Sequence, residues 1–303
     1  MSTIRMLGVP MDLGASRRGV DMGPYALRYT DLRSRLESLG HHVEDAGNVK
    51  VPFREDAERG AQRGARYLGA ITEVCKSVAA QTQRALTEQT VPLVLGGDHA
   101  LAAGSIAGAA AALARSGKTL GVLWMDAHGD LNTPGSSHSG NVHGMPLAAL
   151  LGHGDHAFSN LAGICPAIVP AHLALVGLRD LDAPEREHIH QWKLNAFSMR
   201  AIDERGIRAV LEDALEIAAH HTDALWLSFD MDCLDPSEAP GVGTAVPGGI
   251  TYREAHLVME MIADTGKLAG MDLVEVNPVL DEHNRTAETA TGLILSAFGK
   301  RIL

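Results

Sequence analysis

The sequence predicts one α/β domain, residues 1–303, built on a mainly parallel sheet. Short apolar β-type runs alternate with longer helical patterns from end to end, which is the order of βαβ units. Several of those runs are apolar at every position, as strands covered on both faces must be. No linker, charge block or repeat of roughly 20 to 50 residues divides the chain.

Taken in order, the expected strands are residues 4–9, 91–95, 120–125, 173–176, 224–229 and 268–276, with weaker candidates near His42 and Ala196. Tyr25, Tyr29, Leu32, Leu36 and Leu39 recur at helical spacing, as do Tyr67, Ile71, Val74 and Val78. Each set offers one apolar stripe to the sheet and is read as core. The Ala-rich stretch 100–115 and segments 204–220, 252–265 and 286–299 complete the expected helices. Two loops break this regularity, LNTPGSSHSGNVH (131–143) and DPSEAPGVGTAVPGG (235–249), and each follows an apolar strand that ends in acidic residues. In parallel α/β sheets ligands bind at the carboxyl ends of strands.

Composition excludes several classes. With 37 Asp+Glu against 26 Lys+Arg and a net charge of -11, the chain lacks the basic surface that nucleic acid or an anionic membrane requires. No apolar run approaches the roughly 20 residues that span a bilayer, and MSTIRMLGVPMDLG has no signal-peptide core, so a cytoplasmic protein is expected. Cys75, Cys165 and Cys233 are odd in number and far apart, which suits small buried hydrophobes and neither a disulfide framework nor a thiolate zinc site.

The stretch WMDAHGDL, 124–131, places Asp126, His128 and Asp130 at every second position after an apolar run. A period of two puts such side chains on one face of an extended chain. LWLSFDMDCLDP repeats the pattern with Asp230 and Asp232, and VLGGDHA ends a third strand with Asp98 and His99 behind a Gly pair. If these strand ends are neighbours, His99, Asp126, His128, Asp130, Asp230 and Asp232 converge on one small volume. Four carboxylates there repel one another unless protonated or countered by cations. Two divalent ions supply the balancing charge, and oxygen-rich ligation with one histidine per ion suits Mn²⁺ better than a structural zinc site. His41, His42, His153, His156, His188, His190, His220 and His221 lack such partners in sequence and are read as surface groups.

These motifs resemble those of the arginase (ureohydrolase) family. The resemblance runs from GVPMDLGASRRGVDMGPYALR through LVLGGDHA, WMDAHGDLN, SGNVHGMP, GLRDLDAPE and SFDMDCLDPSEAPGVGTAVPGG to EVNPVLDEHNRTAETA, in the family's order over essentially the whole chain. It implies a three-layer α/β/α fold around an eight-stranded parallel sheet. It also implies two Mn²⁺ per subunit, bridged by Asp126 and Asp230, with His99 and Asp130 completing one shell and His128 and Asp232 the other. The loop NTPGSSHSGNVHGMP resembles the form with which the family's arginases hold the amino-acid end of arginine. By that match Asn132, Ser137 and Ser139 bind the α-carboxylate, Asn141 supports the loop, and Asp182 and Glu185 address the α-amino group. A trimeric or hexameric homo-oligomer is implied as well.

The activity this implies is hydrolysis of L-arginine to L-ornithine and urea by a metal-bridging hydroxide. Guanidinium is a resonance-stabilised cation and a poor electrophile, so water must be activated, and a metal pair lowers its pKa toward roughly 7. Glu275 of EVNP is the expected guanidinium partner, because a carboxylate accepts two parallel N–H bonds. By the family match Thr244 lies near the same group. Asp130 is expected to pass on the hydroxide proton, and His143 to bind near the substrate and shuttle protons to and from solvent. An agmatinase or another guanidino-acid hydrolase shares this metal chemistry, but agmatine would leave carboxylate-binding donors unpaired at about 1–3 kcal/mol each. An inactive ureohydrolase-like binding protein would lack ligands, and all six are present; the loop around Ser139 to Gly144 speaks against a metal-dependent deacylase. Ala100, Gly129, Ser137 and Cys233 depart from the commonest family pattern, and none is an expected ligand.

Overall fold

The apolar runs become strands because each has a helix-covered face on both sides. The computed structural model describes residues 1–57 and 64–301. Its strands are β1 (Thr3–Val9), β2 (His42–Asn48), β3 (Val91–Gly96), β4 (Leu120–Met125), β5 (Leu173–Leu178), β6 (Asn195–Ser198), β7 (Ala224–Asp230) and β8 (Leu268–Val274). They form one eight-stranded sheet in the order β2-β1-β3-β8-β7-β4-β5-β6, with every pairing parallel. Parallel neighbours need crossovers. These include α1 (Gly23–Arg28), α2 (Leu32–Glu37), α3 (Leu68–Thr87), α4 (Ala102–Ala114), α5 (Pro146–Leu150) and α6 (His156–Ser159). They continue with α7 (Ala183–Gln191), α8 (Met199–Arg205), α9 (Ile207–Leu215) and α10 (Tyr252–Asp264); the last helix, α11 (Arg285–Ala297), follows the final strand.

Alternation along the strands divides the interior into two cores. Leu123, Met125, Leu227 and Phe229 turn toward α9, α10 and α11. Val122, Trp124, Trp226 and Val274 turn the other way, toward α3 and α4. Helices α3 and α4 approach closely because two glycines allow it. A Cβ on Gly104 or Gly108 would lie 2.4 or 2.3 Å from the carbonyl oxygen of Cys75 or Ala79.

Several expectations need correction. The stripe at 25–39 splits at Asp31, whose φ of 57° ends helical continuity, and Tyr25 and Tyr29 are 60% and 89% exposed rather than core. Leu27, Leu32 and Leu36 occupy the buried positions instead. Segment 204–220 divides at Gly206, φ 78°, and closes in a π-helical turn, Glu216–His220. The strand expected to run through residue 276 stops at Val274, and Glu275 turns away with φ 64°. Helix α7 was not expected, because it buries only Glu185 and so has no apolar stripe. Its start signal was nonetheless present: Asp182 and Glu185 form a capping box around Pro184. Cys165 is exposed, while Cys75 and Cys233 are buried. No helix among the described residues is long and apolar enough to cross a membrane.

Candidate metal centre

Strands β3, β8, β7 and β4 are consecutive across the middle of the sheet, spaced about 4.8 Å apart. Register aligns Leu95, Leu273, Phe229 and Met125 across them, so the residues that follow leave the sheet at a common height. His99, Glu275, Asp230, Asp232, Asp126, His128 and Asp130 therefore gather at one carboxyl edge.

The gathering is tight. His99 Nδ1 lies 3.1 Å from Asp126 Oδ2, 3.1 Å from Asp130 Oδ2 and 3.3 Å from Asp230 Oδ2. His128 Nδ1 lies 3.4 Å from Asp126 Oδ1 and 3.1 Å from Asp232 Oδ2. Two sets of potential ligand atoms result, His99–Asp126–Asp230 and Asp126–His128–Asp232, with Asp126 turning one oxygen toward each. Asp230 keeps one oxygen on the His99 side, and its other accepts the Asp232 N–H at 2.8 Å.

Neighbouring groups orient this array. Asp272 accepts from Trp226 Nε1 at 2.6 Å, Ser105 Oγ at 2.7 Å and Ser228 Oγ at 2.5 Å. With its proton committed to Asp272, Ser228 Oγ accepts from His99 Nε2 at 2.9 Å. That leaves His99 Nδ1 facing three carboxylates, a position for either a proton or a metal ion. Nδ1 directs no hydrogen bond at any one of them, and it and Asp130 Oδ2 are buried without a partner. The oxygens surround a point rather than line up with an N–H. Trp124 stacks on His99 with centroids 4.2 Å apart and donates Nε1–H to Asp126 Oδ2 at 3.0 Å.

Without a cation the cluster takes up protons. Burial, helped by neighbouring carboxylates, raises Asp230, Asp232 and Asp130, the last to about 6. Although burial opposes it, carboxylate neighbours raise the His99 and His128 imidazoles. Although burial opposes this too, the close imidazoles of His128 and His99 hold Asp126 below the usual carboxylate range. A divalent cation can replace those protons, and an all-N/O donor set without thiolate fits Mn²⁺.

An inner cavity of about 230 Å³ opens beside this array, walled by the carboxylates of Asp130, Asp180, Asp182, Glu185 and Asp230. It shares His128, His143, Asp180 and Thr244 with an outer cavity of about 540 Å³. Glu275 Oε1 accepts the His99 backbone N–H at 3.0 Å and contacts His143 Nδ1 at 3.0 Å, while Oε2 is buried without a partner. Against the lowering by burial, the Glu275 hydrogen bond raises His143 to about 9. Asp130 and Glu275 both hold left-handed backbone, φ 52° and 64°, which costs a non-glycine residue about 1–2 kcal/mol. Thr244 Oγ1 donates to Asp232 Oδ2 at 3.0 Å.

The expected substrate contacts divide. Asn132, Asp182 and Glu185 line the inner cavity, with Asn132 Nδ2 donating to Asp182 Oδ2 at 2.9 Å and Ser136 Oγ donating to Asn132 Oδ1 at 2.8 Å. Ser137 and Ser139 line neither cavity; their Oγ atoms accept the N–H groups of Gly140 and Asn141 at 3.0 and 3.1 Å. Asn141 borders the outer cavity and accepts from Ser16 Oγ at 3.0 Å and from Arg66. Sequence reasoning missed Ser136, Ser228, Asp272 and Arg179, whose guanidinium takes the carbonyls of Asp232 and Val246 at 2.6 and 2.7 Å. A signal existed for two of them, since Ser228 and Asp272 are polar interruptions of apolar strands.

The Arginase family model matches residues 2–299. The arginase of Bacillus caldovelox is 45% identical over 303 residues, covering 100% of both chains. Its native structure at pH 5.6 matches with a TM-score of 0.95 at 44% identity, again over 100% of each chain. The arginase of Entamoeba histolytica, solved in complex with L-ornithine, matches with a TM-score of 0.88 at 30% identity over 99% of each. Sheet order, strand-end chemistry and full-length likeness agree, and the chain belongs to the arginase family of hydrolases.

Proposed function

We propose that this chain hydrolyses L-arginine to L-ornithine and urea with two Mn²⁺ per subunit. The observation that carries the reading is a two-ion ligand array opening onto a carboxylate-walled cavity, in a chain alike over its full length to arginases. His99, Asp126, Asp130 and Asp230 would hold one ion, and His128, Asp126, Asp230 and Asp232 the other. When bound, such a pair supplies water acidified toward neutral pH.

The chain's own groups do the rest. Glu275 offers its unpartnered Oε2 to the guanidinium, where a planar cation can donate to a desolvated carboxylate and be fixed in orientation. Asp130 would receive the proton given up by the attacking water. His143 stands between the two cavities and moves a proton between solvent and the departing amine. Asp182 and Glu185 receive the α-amino group; Asn132, Ser137 and Ser139 receive the α-carboxylate on a loop held by Asn141. Thr244 lines the cavity beside Glu275 and Asp232. We also read the enzyme as cytoplasmic and homo-oligomeric, a trimer or hexamer, as sedimentation would show.

Urea release from L-arginine, agmatine and guanidinobutyrate, each with Mn²⁺ and with chelator, tests the reading. The expected result is highest kcat/KM on L-arginine and loss of turnover on chelation. Faster agmatine turnover would overturn the substrate, and full activity in chelator would overturn the metal.

A further inference from the structure

His153 and His188 are not surface groups: both are half-buried against Trp192, the residue that follows α7. Their ring centroids lie 3.8 and 4.2 Å from that of Trp192, with interplanar angles of 6° and 7°. Two imidazoles parallel to one indole at these distances have room only on opposite faces, so the three rings form a sandwich.

This sandwich stands at the carboxyl end of α7, whose amino end carries Asp182 and Glu185. His188 Nδ1 lies 2.8 Å from the Leu131 carbonyl oxygen, which can only accept, so Nδ1 carries the proton. Leu131 N–H in turn donates to Glu185 Oε1 at 3.3 Å, and Asn132 Nδ2 donates to Asp182 Oδ2 at 2.9 Å. One helix thus grips both residues that begin the recognition loop. From the other side, a Cβ on Gly154 would lie 3.4 Å from Pro134 Cδ and 3.7 Å from Thr133 Cβ, so the segment carrying His153 packs on the next two loop residues.

We propose that the His153–Trp192–His188 sandwich positions the recognition loop beginning at Asn132, and so favours substrates that carry an α-carboxylate, without touching the reacting atoms. The inference rests on the reading of that loop as the seat of the substrate's amino-acid end. The variants are His188→Ala, His188→Asn, which keeps a donor near the Nδ1 position, and Trp192→Leu, which removes the stack but keeps apolar bulk.

For the Mn²⁺-loaded enzyme, His188→Ala should raise KM for L-arginine about threefold to tenfold, the effect of one hydrogen bond, with kcat within about twofold and agmatine kinetics unmoved. Trp192→Leu should show the same split, and His188→Asn should recover much of the KM. Deuterium uptake of peptides covering 131–141 in the substrate-free enzyme should quicken in His188→Ala and Trp192→Leu. Equal losses on both substrates, or loss of Mn²⁺, would mark a general structural role and overturn the proposal. Unaltered deuterium uptake overturns it whichever substrate the wild type prefers. A wild type that prefers agmatine, with quickened uptake in the variants, strikes the substrate reading alone.

Discussion

Replacing Ser228 by alanine isolates the contact that orients His99. Ser228 is fully buried, and a methyl group occupies almost the volume of the lost hydroxymethyl, so no cavity opens. What changes is hydrogen bonding: His99 Nε2, 2.9 Å from Ser228 Oγ, loses its acceptor, and Asp272 keeps only Trp226 and Ser105. A stranded buried donor costs about 1–3 kcal/mol, read as a lower midpoint when the metal-free protein is unfolded in urea. The same loss frees the imidazole to turn or change tautomer, which lowers metal affinity about tenfold to a hundredfold. Competition of Mn²⁺ against a fluorescent chelator measures that change. Affinity within about twofold of wild type would refute the chain of inference from Asp272 through Ser228 to Nδ1.

Three further outcomes follow from the same geometry. Asp126→Asn should remove both ions, since Asp126 faces both ligand sets, whereas Asp232→Asn should leave one; elemental analysis distinguishes them, and equal loss would refute the sharing. In the metal-free chain burial raises Asp130 to about 6 and Asp98 and Glu185 to about 7, and against burial the Glu275 hydrogen bond raises His143 to about 9. The folded state then binds more protons than the unfolded state, so stability falls as pH rises from about 5 to about 9. Mn²⁺ binding strengthens over that window, so the Tm gap between loaded and chelated protein should widen, and a constant gap would refute the linkage. Gly108→Ala should destabilise by about 1–3 kcal/mol in urea titrations without altering metal content, because its Cβ would meet the Ala79 carbonyl oxygen at 2.3 Å.

Much of the site was legible because its chemistry is written locally. Asp126, His128 and Asp130, like Asp230 and Asp232, stand close together in sequence directly after apolar runs; β4 ends at Met125 and Asp232 lies in a 3-10 turn, so the strand end, and not a shared strand face, gathers them. The strands were equally plain, since β4 is apolar throughout and β7 is so but for Ser228 and the terminal Asp230, as strands covered on both faces tend to be. Helical boundaries were less plain: the breaks at Asp31 and Gly206 are single-residue backbone choices that an apolar stripe does not report. Helix α7 announced its start by a capping box but lacked the stripe by which a helix is recognised.

By itself, then, the sequence determined the fold class, the acidic strand ends and the family resemblance, all of which depend on residues near one another in the chain. Only the tertiary structure decided that β3, β8, β7 and β4 stand side by side, because strand order arises from crossovers that bury both sheet faces and leaves no local trace. The same holds for Ser228 beneath His99, for Asp272 beneath Ser228, and for His153 stacked on Trp192. Each is a contact between segments far apart in sequence, made where burial requires polar groups to find partners and aromatic rings to pack.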